Sequence, residues 1–110
     1  MHEISPESVQ AAQEHAKQSL EDGKSVEKVG KHLQNNDLIT PEIGQHIEAA
    51  GKTIQKQSQE SLEKAQELTE NNSTEVFSES VQSHIDAIET HIEAVKEFQK
   101  GLQQRIDSLQ

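Results

Sequence analysis

The chain contains no cysteine, no tryptophan and no tyrosine, and only two phenylalanines and two prolines. Without thiols there is no disulfide, no thiolate nucleophile and no cysteine-held metal, and the redox character of the compartment is unreadable. A hydrophobic fraction of 30% with aromatics at 2% is too little bulk for a broad globular core. It suffices for narrow seams between helices, so stability is modest unless a partner or second copy adds buried area. No apolar run approaches a membrane span, and the amino terminus lacks a signal-peptide core. These absences lead to an expected cytoplasmic location, with secretion by a route needing no signal peptide of the usual kind as the alternative.

Positive charge is the next scarcity. Ten basic residues face 20 acidic ones, for a net charge of -10. No Lys or Arg occurs between Lys64 and Lys96, while Glu67, Glu70, Glu75, Glu79, Asp86, Glu89 and Glu93 all fall there. Such a surface repels phosphate backbones and anionic lipid, which disfavours nucleic-acid and membrane-surface roles. Basic or apolar protein partners remain.

What the chain does have is a seam. Val81, Ile85, Ile88, Ile92, Val95, Leu102, Ile106 and Leu109 alternate steps of four and three, with Gln99 in the one missing place. A 3.5-residue repeat of this kind marks a helix packed lengthwise against other helices. The 110 residues form a single domain (1–110) with helices expected over 6–34, 41–70 and 74–109. Ser5-Pro6-Glu7 opens the first with a cap, a proline at the first turn and an acid at the positive end of the dipole. Thr40-Pro41-Glu42 repeats that pattern, and Asn35-Asn36-Asp37 before it is turn chemistry, after which Leu38 and Ile39 fold back over the helix ends. Asn71-Asn72-Ser73-Thr74 is the second break.

In the first helix the seam is small: Ala12, Ala16, Ser19, Gly23 and Gly30 alternate with few larger residues. Each glycine costs about 1 kcal/mol of helix propensity relative to alanine. Gly23 and Gly30 are therefore candidates for close packing against another helix. The second helix slips through Ile54, Ser58 and Leu62 in steps of four, beside the polar run 55–59, and is the leanest stretch of core. The fold class is all-α: an elongated antiparallel three-helix bundle with short turns and coiled-coil-like packing, or alternatively a long helical hairpin.

The chemistry-bearing residues do not assemble a reaction centre. The six histidines are His2, His15, His32, His46, His84 and His91. Two zinc ligands on one helical turn need a separation of three or four. His84 and His91 are seven apart, about 10 Å along the axis. No nucleophile has a spaced base and orienting acid, the five glycines form no phosphate loop, and no calcium-loop spacing occurs. No catalytic residue, metal ligand or cofactor is assigned. His84 and His91 precede seam isoleucines in the lysine-free acidic stretch, which makes them a candidate pH-sensitive boundary whose protonation near pH 6 tightens contacts with carboxylates. His46-Ile47-Glu48-Ala49-Ala50 matches His91-Ile92-Glu93-Ala94-Val95, a likeness that shared helix spacing accounts for.

The expected function is that of a non-enzymatic acidic helical protein–protein interaction module, binding itself or a partner helix through its C-terminal helix. The candidate partner interface is Phe98, Leu102, Ile106 and Leu109, on a helix longer than its neighbours. A structural oligomeric scaffold is the bland alternative. Phe98-Gln99-Lys100-Gly101-Leu102 near the end of the chain, together with small size and an acidic all-helical body, resembles the WXG100-like proteins of type VII secretion. That resemblance implies helical hairpins pairing with one another or with the targeting helices of larger toxins. The Trp-x-Gly turn of that family is missing here, Leu102 stands where its export pattern has an acid, and three helices replace two.

Overall fold

The computed structural model describes residues 3–110 and is all helix and turn. His2 lies outside the described residues. Helix α1 spans Pro6–Leu33, α2 Pro41–Glu67 and α3 Thr74–Ser108. They run up, down and up in an elongated bundle of 62 × 20 × 17 Å. Its radius of gyration is 17.2 Å, against about 13 Å for a compact domain of this length. Among the described residues no helix is long and apolar enough to cross a membrane. Two separate turns interrupt the chain, so the hairpin alternative does not apply.

The punctuation works largely through short polar side chains. Ser5 Oγ accepts from Ser8 N at 3.1 Å, and Ser73 Oγ accepts from Val76 N at 3.2 Å. Thr40 occupies the cap position of α2 with extended backbone angles, yet its hydroxyl makes no cap bond. Its carbonyl accepts from Ile43 N and Gly44 N instead. Asn36 Oδ1 accepts from Leu38 N at 3.0 Å to close the first turn. Ile39 folds inward and is buried, whereas Leu38 stays exposed. At the other end, Ile4 N donates to Asn72 Oδ1 at 2.8 Å and Asn72 Nδ2 donates back to Ile4 O at 2.9 Å, tying the start of the chain to the second turn.

The closest packing in the molecule is between α1 and α2, where backbone meets backbone. A Cβ on Gly30 would fall on the backbone of Glu48, and one on Gly51 would fall on the backbone of Glu27. Gly23 and Gly44 are almost as tight: a Cβ there would lie 2.8 Å from Gln55 Cγ and 2.9 Å from Gln34 Cγ, respectively. The four contacts are related by a local two-fold, because each helix carries the same pattern. Glu27-x-x-Gly30-Lys31-x-Leu33-Gln34 on α1 is repeated 21 residues later as Glu48-x-x-Gly51-Lys52-x-Ile54-Gln55. Gln55 Nε2 donates to Glu27 Oε1 at 2.6 Å and to Gly51 O at 3.2 Å; Gln34 Nε2 donates to Glu48 Oε1 at 2.6 Å and to Gly30 O at 3.1 Å. Lys31 and Lys52 pair with Glu27 and Glu48 on their own helices at 3.0 and 3.3 Å. These bonds hold both carboxyls below their usual range, the glutamine donor being the largest cause in each.

Serine takes over where glycine ends. Ser58 is fully buried and donates to Ser19 at 2.8 Å. Ser61 donates to the Ser80 carbonyl at 2.7 Å, and Ser80 returns the bond to the Ser61 carbonyl at 2.8 Å. The stretch that sequence marks as the leanest core is thus closed by small hydroxyls that satisfy one another rather than left open. Larger side chains collect at the end that holds the first turn, where Leu33, Ile39, Ile43 and Ile47 are buried together and Val26, Phe98 and Leu102 pack on them.

Alanine at an ordinary helical site gains about 1 kcal/mol over glycine. Here backbone cannot yield, so Gly30→Ala and Gly51→Ala should each cost about 2 kcal/mol net. That is a loss of about 10 °C in a domain of this size. Gly101→Ala, whose added Cβ would meet the side chains of Ile39 and Ile43 at 3.0–3.2 Å rather than backbone, should stay within about 0.5 kcal/mol of the parent. Thermal and urea unfolding followed by circular dichroism measures all three. In the same assay Ser61→Ala and Ser80→Ala should each cost about 1 kcal/mol, with the double variant costing less than their sum because the bonds are reciprocal.

Candidate functional site

The surface that stands out is the open side of the bundle between α1 and α3. Both helices pack closely on α2 and far less on each other. On α3 a row of small residues, Ser80, Ala87, Ala94 and Gly101, is spaced by seven and buried, with Ser80 bonded to Ser61 of α2. Each sits one position before a residue of the large apolar seam. One residue is a 100° rotation on a helix, so close docking through the small row turns the seam away from the bundle's interior. Val81, Ile85, Ile88, Ile92 and Val95 are accordingly 37–48% exposed. The reading of this seam as the bundle's own core is corrected here: small residues are preferred at the contact because they let α3 approach α2, and the branched side chains line its outer flank.

Between the two helices runs a groove with three hollows in a row. The first, about 240 Å³, lies between Ala12 and His15 of α1 and Phe77, Val81 and His84 of α3. The second, about 260 Å³, is bounded by His15, Asp22, His84, Ile88 and His91. The third, about 330 Å³, has Val26 and Val29 on one wall, Val95 and Phe98 on the other, and Ile47 at its floor. Asp22 is the one carboxylate lining these hollows. Among the described residues no group of three or more histidines and carboxylates is arranged to hold a metal ion.

The residues singled out from sequence divide. Gly23 and Gly30 lie buried at the α1–α2 contact. Phe98 and Leu102 are half-buried against Leu33, Ile39, Ile43 and Ile47, and so complete the bundle's own core. Ile106 and Leu109 are 49% and 71% exposed. The tail does not project freely, for Gly101, Arg105 and Ser108 flank the 34–41 turn. The apolar surface left open is thus centred on Val81–Val95 and continues to Ile106 and Leu109, skipping Phe98 and Leu102. Two signals could have found this arrangement: the heptad of small residues in α3, and the 21-residue repeat of glutamate, glycine and glutamine.

His84 and His91 both line the groove, but His84 does not meet a carboxylate partner. Its ring stands 5.8 Å from that of His15, tilted by 34°, and its Nδ1 is buried with no hydrogen-bond partner. Burial, followed by the neighbouring His15, pushes its pKa down. The expected direction therefore reverses, and protonation loosens the fold rather than tightening it. With the folded value below the unfolded value of about 6.5, the unfolded chain takes up the proton first, and stability is lost as pH falls from that value through the folded one. Glu27 and Glu48, also lowered, add their own loss only in the more acidic carboxylate range.

Comparison with family models, with curated proteins and with solved structures finds no match to this chain.

His84→Gln should flatten the fall in melting temperature between pH 7 and pH 5.5. A parallel titration of parent and variant by thermal unfolding checks this, and an equal fall in both would remove His84 as its source.

Proposed function

We propose that this protein is a non-enzymatic helical interaction module whose binding surface is the groove between α1 and α3. One observation carries the reading. A seam of five branched aliphatic residues with 3-and-4 spacing stays 37–48% exposed on a well-packed helix, beside hollows with mostly apolar walls. Soluble chains rarely leave so long an apolar strip uncovered. A strip with this spacing takes an amphipathic helix, which lays its own apolar face into the groove. The rest of the surface, at -10 overall, keeps the free protein soluble and discourages phosphate-rich partners.

Positioning favours this over a reaction centre. The hollows contain three imidazoles, one carboxylate and several serine hydroxyls, and the buried serines bond one another rather than an imidazole base. Export-partner roles like those of the WXG100-like proteins draw on general size and helicity only, since the described chain forms three helices without that family's turn.

A fluorescent amphipathic peptide with isoleucines at alternating three- and four-residue steps should bind the full chain. Changing Ile88 and Ile92 together to Asp should weaken that binding at least about tenfold. Because both positions are exposed, the unfolding free energy should move by less than about 1 kcal/mol. Anisotropy titrations of the two proteins decide it; equal affinities would overturn the proposal.

A further inference from the structure

The geometry points to a second copy of this chain as the cover of the exposed α3 seam, joined through an antiparallel α3–α3 contact in which Glu89 of each copy meets Lys96 of the other. The inference rests on the interaction reading above and adds the partner, its direction and its register.

Direction follows from how charge is distributed along α3. From Glu75 to Glu93 the helix carries five carboxylates and no Lys or Arg; from Lys96 to Asp107 it carries three Lys or Arg residues and two carboxylates. Two copies side by side in the same direction would set acid against acid over half their length. Reversing one copy sets the acidic half of each against the basic end of the other, which is the complementarity that steers association. Glu79 and Glu97, meanwhile, are already turned toward α2, the first 3.2 Å from Lys64 and the second 3.6 Å from His46. Among the described residues Glu89 and Lys96 have no ion-pair partner within their own chain.

Register follows from the heptad. The stripe positions of one helix must interleave with those of the other, so permitted alignments differ by seven residues. In one of them Ile92 sits beside Val95 of the second copy and Val81 beside Ile106. Glu89 and Lys96 flank this stripe on the same edge, seven apart, and face each other across the two-fold axis twice. Sliding by one heptad either way brings Glu89 opposite Glu89 or Lys96 opposite Lys96. The same alignment covers Ile106, which the monomer leaves 49% exposed.

The stripe from Val81 to Ile106 is about 38 Å long at 1.5 Å per residue, long enough for several heptad layers of α3–α3 contact.

Sedimentation equilibrium of the full chain from micromolar to millimolar concentration should show a monomer–dimer equilibrium. Glu89→Lys and Lys96→Glu should each weaken the homodimer about tenfold, since each places like charges at both ends of the contact. The double variant should restore it. Mixing the two single variants should form heterodimer in preference to either homodimer, read by native mass spectrometry. Circular dichroism of each variant confirms that the helices are retained. A dimer indifferent to these exchanges would overturn the antiparallel register. A monomer at every concentration that still binds the isoleucine peptide would overturn the second copy and leave the interaction module standing; a monomer that binds no such peptide would remove both.

Discussion

Backbone contact between α1 and α2 at Gly30 and Gly51 is the constraint on which the rest of the bundle depends. Few large side chains are available, so stabilisation must come from bringing two helices together until main-chain atoms touch. That approach is possible only where Cβ is absent. It leaves the neighbouring carbonyls and carboxylates partly shielded from water, and Gln34 and Gln55 answer by donating to both at once. The glycines, glutamates and glutamines are therefore one device. Removing the glycine's fit would leave the amides too far from their acceptors, and a buried acceptor without its donor is costly.

Once α2 is committed on that side, α3 has one narrow face left to meet. It does so through Ser80, Ala87, Ala94 and Gly101, repeating the preference for close approach over bulk. The cost of dispensing with large side chains inside is that they appear outside. Val81, Ile85, Ile88, Ile92 and Val95 have the spacing of a core, and the structure leaves them exposed, with Val81, Ile88 and Val95 lining the groove. Economy in the interior and adhesiveness at the surface are consequences of the same choice of small residues.

This explains which parts of the molecule were legible in the sequence. Helix limits were, because Ser5, Pro6, Pro41, Asn36 and Ser73 act locally and mean the same thing in any context. The all-helical, three-segment plan followed from those limits. The choice of buried face on α3 did not, because two rows one residue apart both have heptad spacing, and periodicity cannot say whether bulk or smallness wins. Only the partner surface decides, and on α2 that surface includes Ser61, which exchanges hydrogen bonds with Ser80. The candidate site suffered accordingly: Phe98 and Leu102 looked free by position but pack on Ile39 and Ile43, while the middle of the seam looked internal and is open. For His84, the neighbour that matters is His15, 69 residues earlier in the chain, and no local pattern announces it.

The two-fold relation between Glu27–Gln34 and Glu48–Gln55 makes the pattern complementary to itself: a helix bearing it finds a counterpart for every donor and notch when a second one lies against it in the opposite sense. One short motif thus writes both sides of the α1–α2 contact, and a substitution at any one of its positions disturbs only one of two equivalent halves.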